Sequence, residues 1–127
     1  MAPKPRILIV DDEPFLRALL ASFMKKNGFE VLEAGDPETA LSQLSIFDPS
    51  IAILDVMMPG MTGLEMIVKV KLWKPACEVI MITGGGSDQT RSECMAKGAY
   101  RVMDKPLEME ELRNAIQGVM QKISEAS

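Results

Sequence analysis

The sequence predicts an α/β domain built as a doubly wound parallel sheet, and three observations carry that reading. Ile7-Leu8-Ile9-Val10, Ile51-Ala52-Ile53-Leu54 and Val79-Ile80-Met81-Ile82 are continuous apolar runs of strand length. Such runs suit strands buried on both faces rather than strands with one wet face. Segments with apolar residues at helical spacing separate them, so strand and helix alternate along the chain. The first two runs also end on acid: Val10 leads into Asp11-Asp12-Glu13, and Leu54 into Asp55. Open α/β sheets bind their ligands at the C-terminal edge of the strands.

Each element follows from local signals. After the first strand, Pro14 to Asn27 reads as a helix with Phe15, Leu16, Leu19, Leu20, Phe23 and Met24 at helical spacing and Asn27-Gly28 as its stop. Glu30 to Ala34 is a short strand closed by Gly35. Asp36 offers an N-cap and Pro37 a first helical residue for a helix to about Ile46, with Ala40, Leu41 and Leu44 inward. Asp48-Pro49 breaks it, and Ile51 to Leu54 is the third strand. A loop with Pro59, Gly60 and Gly63 follows, then a helix with Leu64, Ile67, Val68 and Leu72 on one face, ended by Lys74-Pro75. Cys77 to Thr83 is the fourth strand. Gly84-Gly85-Gly86 joins it to a helix capped by Ser87 and closed by Gly98, whose few apolar residues predict the loosest docking. Tyr100 to Met103 is the last strand and Asp104-Lys105-Pro106 a turn; Leu112, Ile116, Val119 and Ile123 mark the final helix.

Composition narrows the setting. A chain of 127 residues with 47% hydrophobic and 25% charged residues has the profile of one globular domain that can bury a core without staples. No apolar run approaches the ~20 residues needed to cross a bilayer, and Met1 to Arg6 carry no apolar signal segment, so the expected location is cytoplasmic with no membrane partner. Cys77 and Cys94 are too few and too far apart for a disulfide framework or a metal knuckle and read as free thiols. The net charge of -4 leaves no basic footprint for direct nucleic-acid binding. With no histidine, Ser/His and Cys/His catalysis and histidine-ligated metals within the chain are excluded.

Periodicity does not give strand order. Of the common doubly wound arrangements, only 2-1-3-4-5 sets strands one and three side by side at the switch point and so gathers Asp11, Asp12 and Asp55. The same edge then receives Thr83 and Lys105. Three carboxylates so close require a cation or a proton. Their hard oxygens suit Mg²⁺, which commonly joins one or two carboxylates to a phosphate. One carboxylate can attack phosphorus, while a hydroxyl and an ammonium hold the oxygens of the transferring group.

Asp11-Asp12, Asp55 followed by Met57-Met58-Pro59-Gly60-Met61-Thr62-Gly63, Thr83, and Lys105-Pro106 carry a resemblance when taken in this order and spacing. The chain resembles a response regulator receiver domain of two-component signalling, of the chemotaxis-regulator-like superfamily, over essentially its whole length. The resemblance implies a flavodoxin-like (βα)5 fold with strand order 2-1-3-4-5; a chemotaxis regulator is itself a standing example of that order. It implies a single receiver domain over residues 1–127. Asp55 would accept a phosphoryl group from a phosphohistidine on a sensor histidine kinase or phosphotransfer protein. Asp12, Asp55 and the Met57 backbone carbonyl would hold Mg²⁺, with Asp11 acting through water, and Thr83 and Lys105 would contact the phosphoryl group. A cis Lys105-Pro106 bond is also implied. The chain would not be an enzyme beyond its own phosphorylation and dephosphorylation. It would signal through helix four, strand five and helix five to a downstream protein target or an output domain. One position departs from the pattern: Val102 stands where an aromatic residue usually precedes the lysine by three. Tyr100, two residues earlier, would share its face at a distance of ~7 Å along a strand. The expected readout is therefore displacement of the Gly84 to Gly86 loop without an inward-swinging ring.

Other readings explain less. Asp11, Asp12 and Glu13 as mere helix openers suit the macrodipole and account for Glu13, but not for Asp55 or Lys105. An aspartate-nucleophile phosphohydrolase would need an acid two residues after its nucleophile, where Met57 stands. A flavodoxin-like cofactor binder would need a phosphate loop after strand one, where three acids stand instead. A phosphorylation-independent interaction module would have no use for the full set of acids, hydroxyl and lysine. Met57, Met58 and Met61 could touch a partner but read first as filling, and Trp73 as a partly exposed packing residue.

Overall fold

The computed structural model describes residues 4–56 and 60–126. Among them the chain alternates β1 (Arg6–Val10), α1 (Pro14–Lys26), β2 (Glu30–Ala34), α2 (Pro37–Phe47), β3 (Ile51–Asp55), α3 (Gly63–Trp73), β4 (Glu78–Thr83), α4 (Asp88–Ala96), β5 (Arg101–Asp104) and α5 (Met109–Ala126). The strands form one parallel sheet in the order β2-β1-β3-β4-β5, so the doubly wound arrangement is observed. The register sets Val10 beside Leu54 and Asp55 beside Ile82, which brings the acidic ends of β1 and β3 to one edge.

Alternate strand residues feed two cores. Leu8, Val10, Ala52, Leu54, Val79 and Met81 pack with Ala40, Leu44, Met66, Ile67, Val70 and Cys94 of α2, α3 and α4. Ile7, Ile9, Ile51, Ile53, Ile80 and Ile82 pack with Leu20, Met24, Leu112, Ala115, Ile116 and Val119 of α1 and α5. This two-sided burial is why the runs are apolar throughout, each large side chain contributing about 1.5–3 kcal/mol by leaving water.

The caps place the helices. Asp36 accepts the Thr39 N–H at 2.8 Å, Thr62 the Glu65 N–H at 3.2 Å and Ser87 the Thr90 N–H at 3.2 Å. Each such cap is worth about 1 kcal/mol. Gly28, at φ +90°, lets the chain turn after Asn27, as the Asn-Gly stop predicts. The Lys105-Pro106 bond is cis.

The helix faces differ in part from the periodic reading. Phe15, Leu19, Val68 and Leu72 are exposed, whereas Ala21, Met66 and Val70 are buried. Apolar residues run more than halfway round α1 and α3, so spacing fixes the helix but not which part of the stripe meets the sheet. In α4 only Cys94 is buried, consistent with loose docking, and Arg91 anchors the helix by donating to the Val102 carbonyl at 3.2 Å and pairing with Asp104. Both thiols are buried and unbonded, and burial pushes that of Cys77 up to about 12. Trp73 is half-buried. Tyr100 falls just outside β5, and strand parity does not hold for it: Val102 packs in the core under α2, α3 and α4, Tyr100 in the other. Its hydroxyl lies against α5, where a Cβ on Gly118 would come within 2.6 Å of it.

Candidate phosphoryl-transfer site

The strand edge gathers the residues that the sequence singled out. Asp11 and Asp12 follow β1, Asp55 ends β3 and Thr83 ends β4, while Lys105 follows β5. One carboxylate oxygen from each of Asp11, Asp12 and Asp55 lies within 4.8 Å of the other two. Asp11, Asp55 and Thr83 are buried and Asp12 is exposed. The Met57 carbonyl, expected as a further ligand, lies outside the described residues.

Lys105 reaches into this group from the side. Its Nζ donates to Asp55 Oδ2 at 3.2 Å and to Glu13 Oε2 at 3.0 Å, and stands 3.9 Å from Asp11 Oδ2. Burial works against the ammonium, but the hydrogen bonds it donates to Glu13 and Asp55 and the nearby Asp11 charge outweigh it and hold the lysine pKa above its usual value. Glu13 therefore does more than open a helix: it gives α1 no side-chain cap and instead pairs with Lys105. Local sequence does not show this pairing, because the partners are 92 residues apart.

Asp11 is the strained member electrostatically. Burial pushes its carboxyl above the ordinary range; the Glu13 N–H opposes this, the Asp55 charge adds to it and Lys105 opposes it. Its Oδ1 accepts the Glu13 N–H at 2.8 Å, while Oδ2 is buried with no hydrogen-bond partner among the described residues. A buried carboxylate oxygen left so, beside two further acids, fits a hard cation.

Glycines shape the rest of the cleft. Gly63 opens α3 directly against β3: a Cβ there would sit 2.7 Å from Val56 Cα and 3.0 Å from the Asp55 carbonyl. A Cβ on Gly86 would come 2.8 Å from Thr83 Oγ1, so the loop after β4 lies over that hydroxyl. The resulting cleft, of about 790 Å³, runs from Asp12 and Asp55 past Thr83 to Gly84–Gly86 and Thr90, with Lys105 on its wall. Its size admits a phosphoryl group presented on a larger donor.

A doubly wound parallel sheet with acids, a hydroxyl and a lysine on its C-terminal edge has its candidate site where open α/β sheets bind their ligands. Residues 7–117 match the family model for the response regulator receiver domain, and the chain belongs to that family, the receiver domains of two-component systems. It is 35% identical over 107 residues to a cyclic di-GMP phosphodiesterase of Thermotoga maritima, covering 84% of this chain and 28% of that protein. A receiver domain protein (CheY-like) from Methanospirillum hungatei superposes with a TM-score of 0.94 at 25% identity, covering 98% of this chain and 100% of that one. The CheX-CheY-BeF3-Mg²⁺ complex from Borrelia burgdorferi matches with a TM-score of 0.85 at 28% identity, covering 91% and 89%. The chain spans about half the length, or less, of the curated relatives it matches. Receiver domains are in general signalling modules rather than enzymes. No helix among the described residues is long and apolar enough to cross a membrane.

The raised Asp11 pKa has a stability consequence. A carboxyl whose folded pKa exceeds its unfolded value favours the fold while protonated, and that contribution is lost as pH rises through the folded pKa. Asp11→Asn, neutral and of similar shape, should raise the thermal midpoint of the metal-free protein at pH 7. The gain should shrink as pH falls through the raised Asp11 pKa toward the ordinary carboxylate range, and stay constant below it. An unchanged or lower midpoint at pH 7 would contradict this account.

Proposed function

We propose that Asp55 is the phosphoacceptor of a receiver domain spanning residues 1–127, taking its phosphoryl group from a phosphohistidine on a sensor histidine kinase or phosphotransfer protein. A carboxylate oxygen of Asp55 attacks phosphorus, the P–N bond breaks, and the donor imidazole leaves with the electron pair and takes up a proton. The product is an acyl phosphate on Asp55. Lys105, already 3.2 Å from Asp55 Oδ2, follows the charge onto a phosphoryl oxygen, and the Thr83 hydroxyl donates to another. Asp11, Asp12, Asp55 and the Met57 carbonyl would hold Mg²⁺, which when bound offsets the repulsion between the acids and the incoming phosphoryl oxygens.

The observation that carries this reading is the juxtaposition of three acids within 4.8 Å, one with a buried oxygen unsatisfied among the described residues, and a lysine bonded to the buried Asp55. The BeF3 and Mg²⁺ in the Borrelia burgdorferi complex lend it support by similarity. Brought to this chain, the pair would stand in for an aspartyl phosphate and its cation. Incubation with acetyl phosphate and Mg²⁺ should add one phosphoryl mass to the intact protein. Asp55→Asn should abolish the addition, and its persistence there would overturn the assignment.

The output follows from the same geometry. Phosphoryl oxygens beside Thr83 draw its hydroxyl inward and unload Gly86 and the loop that lies over it. That loop leads into α4, which buries little and is held to β5 by Arg91. Val102 is β-branched, with few rotamers and no ring to swing, and Tyr100 packs in the opposite core. The signal therefore passes to a downstream protein or an output domain by displacement of the α4, β5 and α5 face. BeF3 with Mg²⁺ should change amide hydrogen exchange across residues 84–97. No change there, with a change on another face, would place the output surface elsewhere.

A further inference from the structure

Asp11 is held from three directions, two on its backbone and one on its side chain, and one hold comes from a side chain outside the acid cluster. The Asp11 N–H donates to the Ala34 carbonyl at 3.1 Å, and Oδ1 accepts the Glu13 N–H at 2.8 Å. The Asp11 carbonyl accepts Nη1 of Arg17 at 2.6 Å. Arg17 lies in the second turn of α1, and helical side chains lean toward the N-terminus, which carries its guanidinium back over the β1–α1 turn.

The guanidinium sits in a fitted place. Its Nε pairs with Glu33 Oε1 of β2 at 3.5 Å, and Nη1 lies where a Cβ on Gly35 would come within 3.2 Å. Glu33 and Gly35 thus fix Arg17 over the end of β2, and Arg17 in turn fixes the peptide that joins Asp11 to Asp12. With that peptide, Oδ1 and the N–H all held, Oδ2 is the atom left unsatisfied among the described residues, 3.9 Å from Lys105. The exposed Asp12 takes its direction from the same peptide.

We infer that Arg17 is a positioning residue of the acid pocket: by gripping the Asp11 carbonyl it aims the Asp11 and Asp12 carboxylates at the cation, and so sets cation affinity. The inference rests on the metal-holding role proposed above for Asp11 and Asp12. Arginine suits the task because its planar fork can reach the carbonyl with one nitrogen while another pairs with Glu33.

The test is Mg²⁺ calorimetry on the full chain, with the Mg²⁺ requirement and limiting rate of acetyl phosphate labelling measured in parallel. Arg17→Met, which keeps the apolar stem and loses the donors, should weaken Mg²⁺ binding about tenfold or more, as loss of groups that orient metal ligands does. The limiting rate at saturating Mg²⁺ should stay at the parent value. Glu33→Gln, which loosens the hold on the guanidinium but leaves Arg17 its donors, should weaken Mg²⁺ binding less than Arg17→Met does, and a larger loss than in Arg17→Met overturns the inference. Parent-like affinity in Arg17→Met, or a loss of limiting rate with affinity unchanged, overturns the inference whatever happens to stability. Should Arg17→Met fail to fold, Gly35→Ala decides by crowding the guanidinium: severalfold weaker binding supports the inference and parent-like binding overturns it. A parent that binds no Mg²⁺ overturns the metal-holding role itself, and the inference with it.

Discussion

The structure depends on a concentration of negative charge at one sheet edge that a single lysine offsets only in part. Asp11 and Asp55 are buried, Asp12 and Glu13 stand beside them, and Lys105 serves Asp11, Asp55 and Glu13 at once. Among the described residues, four carboxylates face one ammonium there, and burial of Asp11 and Asp55 makes that deficit of positive charge costly. A cation relieves the cost directly. On the proposed reading, a phosphoryl group on Asp55 would change where Lys105 and Thr83 find their partners, and that would give a covalent event leverage over the fold.

The remainder of the molecule holds this edge in place. Two-sided burial of β1, β3 and β4 makes the strands rigid supports whose ends cannot drift apart. Gly63 lets α3 start on the backbone of Asp55, and Gly35 leaves room for Arg17 above the end of β2. By contrast, the segment after Thr83 is glycine-rich, and the helix behind it buries only Cys94. Rigidity on the acid side and slack on the α4 side would suit the proposed displacement of the α4 face.

The parts legible in the sequence were those fixed by local chemistry. Continuous apolar runs marked doubly buried strands, Asp36, Ser87 and Asn27-Gly28 marked helix ends, and the acids at two strand ends marked the edge where they come together. Which part of a wide apolar stripe meets the sheet was not legible, as exposed Phe15 and Leu72 show. Nor was Tyr100: β5 begins one residue after it, so strand parity does not apply. The Glu13–Lys105 pairing and the contact of Arg17 with the Asp11 carbonyl were not legible either, because these partners are set by tertiary placement. A basic residue six positions after Asp11, in a helix whose side chains lean backward, was the available signal for Arg17.

The central claim is that the acid edge is built for a divalent cation that binds the folded chain and not the unfolded one. It is tested most directly by measuring unfolding free energy against Mg²⁺ concentration at constant ionic strength. The account predicts stability that climbs with Mg²⁺, approaching ~1.4 kcal/mol per tenfold increase once the concentration is well above the dissociation constant. Stability that stays flat across the titration would contradict it.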